Sequence, residues 1–97
     1  MSKTRPLIDD KKAKIGKSSL FKKTDEGLFV VNLKTGLYYT INGSGEHIWL
    51  AIKKGKKPRQ IVKDLAKRFR IKIEKAEREV VSYLEKLEKE KLIIRCR

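Results

Sequence analysis

One cysteine (Cys96), one histidine (His47) and two prolines are spread over 97 residues, and 12 acidic side chains face 26 basic ones. Each scarcity excludes something. A lone cysteine can form no internal disulfide, in keeping with a reducing compartment. His47 has no second His, no nearby Cys and no Asp or Glu at ligand spacing, so no metal site is expected. No stretch approaches the roughly 18 apolar residues of a membrane span, and the first residues lack the apolar run of a signal peptide. The expectation is a cytoplasmic protein with no membrane partner. Ser18, Ser19 and Ser44 lack a local base, and "GSG" (Gly43 to Gly45) lacks the Lys and further glycines of a phosphate-cradling loop. The chain is therefore read as non-enzymatic, with no catalytic residues and no cofactor.

What is present is globular. Hydrophobic and charged residues each make up 39% of the chain, enough for one domain with a modest core under a heavily charged exterior. The net charge of +14 is uneven: residues 1–73 carry 19 basic and 6 acidic side chains, residues 74–91 carry 5 and 6. Clustered cations of this kind either bind phosphate by releasing counterions or form a Lys- and Glu-rich solvated surface, and composition leaves both readings open.

Along the chain, residues 1–16 mix charge with few apolar positions and are expected to be a mobile basic arm, with the folded domain spanning 17–97. A weak strand is expected around Leu20 and Phe21, followed by turn chemistry in "TDEG" (Thr24 to Gly27). Leu28 to Leu33 and Leu37 to Asn42 are rich in β-branched and aromatic residues and flank "KTG" (Lys34 to Gly36), which reads as a hairpin. Asn42 is placed to cap a helix carrying Ile48, Trp49 and Ile52, which ends near Gly55. Pro58 suits the first turn of a second helix with Ile61, Leu65 and Phe69 on one face. A third helix, about Glu74 to Lys91, carries the stripe Ala76, Val80, Leu84 and Leu87, before an apolar tail at Leu92 to Ile94. A three-stranded antiparallel sheet followed by three helices makes a small α+β domain of winged-helix type.

The ordered set "VVNLKTGLYYTINGSGEHIWLAI" (Val30 to Ile52), "IVKDLAKRFRI" and "VVSYLEKLEKEKLI" resembles the PqqD-like family, the leader-peptide recognition elements of ribosomally made, modified peptides. The resemblance spans about residues 18–94. Its marks are Gly36, the Tyr38-Tyr39 strand ending in Ile41-Asn42, Gly45 before Ile48-Trp49, and the later Leu ladder. It implies a non-catalytic module that binds a precursor's leader peptide and presents it to a maturation enzyme. The "TGLYYTIN" form is most similar to the free-standing leader binders of lasso-peptide pathways, whose partner is a leader peptidase.

The residues make such a role physically plausible. If Leu37 to Asn42 is an edge strand, its free N–H and C=O groups extend over roughly 20 Å and can pair with an extended peptide. The candidate binding set is thus Leu37, Tyr38, Tyr39, Thr40 and Ile41, with one of the two tyrosines serving the core and the other pointing outward. On the third helix, Glu77, Val81 and Leu84 lie to one side of the core-facing Val80 and are candidates for the groove's far wall. For Val81, packing beneath the sheet is the competing explanation. Tyr83 falls on the opposite flank and is expected to pack against a helix. The rival function is a winged-helix DNA-binding regulator, but the helix that would enter the major groove carries six glutamates and a net charge of minus one. The basic "KKGKKPRQ" (Lys53 to Gln60) keeps nonspecific nucleic-acid binding as the alternative.

Overall fold

The computed structural model describes residues 11–95. Eight elements follow in order: β1 (Ala13–Ile15), β2 (Ser19–Thr24), β3 (Gly27–Asn32), β4 (Tyr38–Ile41), α1 (Ser44–Lys53), α2 (Pro58–Phe69), α3 (Ile73–Lys89) and β5 (Ile93–Arg95). Strands β2, β3 and β4 form an antiparallel sheet in that order, and the three helices follow it, giving the expected winged-helix-like α+β fold.

Alternation in β3 sets the sheet's two faces. Leu28, Val30 and Asn32 are buried, whereas Phe29 is exposed and Val31 half-buried, as a period of two requires for a sheet covered on one side. The β2–β3 turn is tight, with Thr24 paired to Gly27. Gly27 has φ 124°, and a Cβ there would lie 2.5 Å from the Ile41 carbonyl oxygen, so only glycine lets β3 begin against the end of β4. At the other turn, the Asn32 side chain replaces missing backbone partners. Its Oδ1 accepts from the Lys34 N–H at 2.9 Å and its Nδ2 donates to the Glu90 carbonyl at 3.0 Å, tying the hairpin tip to the end of α3.

The core lies between the inner sheet face and the helices. Ile48, Trp49 and Ile52 of α1, Ile61 and Leu65 of α2, and Ala76, Val80, Leu84 and Leu87 of α3 are all buried. Phe21 meets the Trp49 ring edge-on, with centroids 5.5 Å apart. Pro58 opens α2 at its first turn, where its missing N–H breaks no intrahelical bond.

Four expectations need correction. The cap of α1 is Gly43, with φ 63° and no side-chain cap bond, so Asn42 sits one residue too early to close the helix. Phe69 is 40% exposed; it is the last residue of α2, the chain turns left-handed at Arg70, and its ring leans on His47 instead of the core. The expected mobile arm contains a strand: Ala13 to Ile15 pairs antiparallel with Ile93 to Arg95. Ala13 is buried, and the connection continues through the Gly16 N–H to the Leu92 carbonyl at 2.9 Å. Residues 1–10 of that arm, and Cys96, lie outside the described residues. The edge strand is also shorter than expected, four residues or about 13 Å.

Candidate functional site: the β4 edge and its groove

The sheet has two edges, and they differ in chemistry. β2 carries Lys22 and Lys23, the residue type that discourages edge pairing. β4 reads Tyr-Tyr-Thr-Ile, without charge, and among the described residues its one strand neighbour is β3.

The ladder shows which β4 groups are free. The Asn32 N–H donates to the Leu37 carbonyl at 2.9 Å, whereas the Leu33 N–H turns the other way, to Ser18 at 2.8 Å. Even-numbered residues of β3 therefore bond toward β4 and odd-numbered ones toward β2. By antiparallel alternation, Tyr39 and Ile41, opposite Val30 and Leu28, direct their backbone groups at β3. Tyr38 and Thr40 direct theirs at the open edge.

Beside that edge runs a groove of about 950 Å³. Tyr39, Thr40, Ile41 and Asn42 form one side, Ser44, Gly45 and Ile48 of α1 its base, and α3 the far wall through Lys75, Arg78, Glu79, Ser82, Tyr83, Lys86 and Leu87, with Glu90 just beyond its end. The Tyr39 hydroxyl donates to Glu90 Oε1 at 2.7 Å, bracing β4 against the end of α3. That bond to the carboxylate, then burial, raises the Tyr39 pKa above its usual value. Burial pushes the Tyr83 hydroxyl up to about 12, so the groove wall stays uncharged there at neutral pH.

The expected site residues divide. Tyr39, Thr40 and Ile41 line the groove. Tyr38 is 68% exposed and stacks on Phe29 on the sheet's outer face at 5.4 Å; its backbone, not its ring, reaches the edge. Leu37 lies before β4 and is exposed. On α3 the expected flank does not face the groove. Glu77 lies with Arg59, Val62, Lys63 and Ile73, on the side facing α2. Val81 packs against the core and Leu84 is 1% exposed within it, so neither belongs to the groove lining. The opposite flank, led by Tyr83, faces β4. Tyr83 does meet a helix, α1 at Gly45, and lines the groove as well. The helical period contains both flanks; only the packing of β4 chooses between them.

Other chemistry is sparse. Among the described residues no cluster of three His, Cys, Asp or Glu side chains is placed to hold a metal ion. No helix there is long and apolar enough to cross a membrane.

Residues 27–93 match a family model described as coenzyme PQQ synthesis protein D (PqqD). The chain belongs to the PqqD family. That match runs from the first residue of β3 to the first of β5 and so includes the whole β4–α3 groove. Among solved structures, this PqqD-family chain is similar to TbiB1 in complex with the TbiA(beta) leader peptide, with 25% identity and a TM-score of 0.79 over 82% of this chain and 93% of that one. It shares its fold with a lasso peptide synthetase B1 complexed with the leader peptide, at 17% identity and a TM-score of 0.80 over 86% of this chain and 98% of that one. Comparison with curated proteins finds no match.

Proposed function

We propose that this chain is a non-catalytic recognition module that captures the leader of a ribosomally made precursor peptide and presents it to a maturation enzyme, a leader peptidase of the lasso type. The observation that carries this reading is the uncharged, unpaired edge of β4 standing beside a groove. An extended leader adds as a strand through the free backbone groups of Tyr38 and Thr40, which supply affinity with little dependence on sequence. Its side chains alternate, and those facing α3 meet Tyr83, Ile48 and Leu87, which supply selectivity. The similarity to TbiB1, a protein solved with a leader peptide, supports leader binding. The recognition unit extends back to Ala13, because β1 closes over β5. DNA binding is not favoured: α3, the helix that would enter a major groove, carries an excess of glutamate.

The test is a fluorescence-anisotropy titration with the leader of the precursor encoded beside this chain, run next to a random DNA duplex. Saturable leader binding that persists in added salt is expected. Preference for the duplex, or no leader binding, overturns the reading.

A further inference from the structure

The face of the sheet turned away from the groove carries an apolar row. Leu20, Val31 and Tyr38 are paired in register across β2, β3 and β4, so their side chains stand side by side on that face. Leu20 is 58% and Tyr38 68% exposed, while Val31, flanked on both sides, is half-buried. The core packs on the opposite face. In the next row, Lys22, Phe29 and Thr40, the Phe29 ring leans on that of Tyr38 with centroids 5.4 Å apart. Single exposed apolar residues are ordinary on a protein surface; a row in register that ends in an aromatic pair at an open edge marks a contact.

Tyr38 joins this row to the edge. Its ring belongs to the outer face, and its backbone N–H and C=O point into the space where a leader strand adds. A leader residue paired with Tyr38 is held by that backbone, so the strand pairing itself fixes its place. Neighbouring residues on paired strands share a face whichever way the added strand runs, with Cβ atoms about 4.5–5.5 Å apart in an antiparallel pair. The side chain paired with Tyr38 therefore stands on the outer face beside the Tyr38 ring, as the fourth member of the row. The leader residues on either side of it turn into the groove.

We infer that the leader is read on both faces of the added strand, with Tyr38 selecting an apolar, β-branched or aromatic side chain at the residue paired with it. This rests on the leader-binding reading and adds to it an outward position that the groove does not touch. The leader residue paired with Thr40, two positions along, also faces outward but meets a hydroxyl, in a row that includes Lys22, and tolerates polar side chains. Phe29 steadies the Tyr38 ring from the neighbouring strand, so less side-chain freedom is lost when the leader arrives. The contact lies at the surface and tunes affinity by a few-fold, while the backbone bonds and the groove carry the rest.

The experiment is a serine scan of the leader encoded beside this chain, each peptide titrated by fluorescence anisotropy against the full chain and against its Tyr38→Ala and Tyr38→Phe variants. Tyr38 is exposed, so both variants should keep a near-parental melting temperature. Serine at groove-facing positions should weaken binding to all three proteins alike. At one position, an odd number of residues from each of those, serine should weaken binding to the parent and to Tyr38→Phe about threefold and leave binding to Tyr38→Ala unchanged. If no position loses its effect in Tyr38→Ala, or if Tyr38→Phe behaves as Tyr38→Ala does, the outward reading is overturned and leader binding stands. If the parent does not bind the leader, or Thr40→Pro binds it equally well, strand addition at this edge fails and both are overturned.

Discussion

A Cβ built on Gly45 would lie 2.8 Å from the Tyr83 hydroxyl oxygen and 3.1 Å from Ile41 Cγ2, so α1, α3 and β4 meet there with no room for a side chain. Alanine would gain about 1 kcal/mol as a helix former but must displace Tyr83, at an overpacking cost of about 1–3 kcal/mol. Gly45→Ala should therefore be net destabilising by about 1 kcal/mol and should push Tyr83 into the groove, weakening leader binding. Urea unfolding with a Tyr83→Ala partner completes a double-mutant cycle. The double variant should lose less stability than the sum of the single ones; strict additivity would mean that the two residues are not in conflict.

The ladder separates two neighbouring positions in β4. Thr40 turns its N–H to the open edge, so Thr40→Pro removes a donor that the fold does not use. Tyr39 turns its N–H to β3, so Tyr39→Pro breaks a rung of the sheet. Thr40→Pro should keep a near-parental melting temperature and lose leader affinity by tenfold or more, on the order of 1.4 kcal/mol, whereas Tyr39→Pro should lower the melting temperature. Equal leader affinity for parent and Thr40→Pro would sink strand addition at this edge.

Val81 packs half-buried against the core on the flank away from β4. Placing a carboxylate there buries a polar group without a partner, at about 2 kcal/mol. Val81→Asp should show that loss in thermal or urea unfolding, while the folded fraction binds leader as the parent does. A folded variant with weakened binding would return Val81 to the groove.

Asn32 is 1% exposed and joins two elements, donating to the Glu90 carbonyl and accepting from Lys34. Leucine of similar size fills the space but leaves that partly buried carbonyl and the turn N–H without their protein partner. Asn32→Leu should cost about 2–3 kcal/mol, and amide exchange should accelerate at the Lys34–Gly36 turn and at the end of α3. Exchange confined to only one of these would mean that the bridge does not couple them.

His47 carries a buried Nε2 with no hydrogen-bond partner among the described residues. Burial lowers its pKa from the ordinary 6.5, and Arg68, Lys56 and Lys54 add to the shift while Asp64 opposes it. The folded chain thus holds fewer protons on His47 than the unfolded chain just below pH 6.5. Its contribution to stability is present above that pH and fades as the pH falls toward the lowered value. Urea midpoints measured from pH 8 to pH 5 should fall more steeply for the parent than for His47→Leu. Parallel curves would remove His47 as the cause.

Much of the architecture was legible because local periodicity is written in consecutive residues. Val80, Leu84 and Leu87 repeat at helical spacing and are buried, and Leu28 and Val30 alternate into the core as a strand must. Phe69 continued the ladder in spacing but not in space, because α2 ends on it. Strand β1 is not legible in the sequence because three residues hold too little alternation to read, and its partner β5 comes from the other end of the described chain.

By itself the sequence determined the three strands of the main sheet, the three helices, the core-facing centre of each helix, the uncharged composition of β4 and the family resemblance, all of which depend on residue type and short-range spacing. Tertiary structure decided which flank of α3 walls the groove. About a core-facing Val80, Glu77 at about +60° and Tyr83 at about −60° are symmetric choices on a helical wheel, and a one-dimensional pattern contains nothing to break that symmetry. The direction of the chain from β4 through the short α1 breaks it, by bringing Gly45 against Tyr83 and leaving Glu77 toward α2.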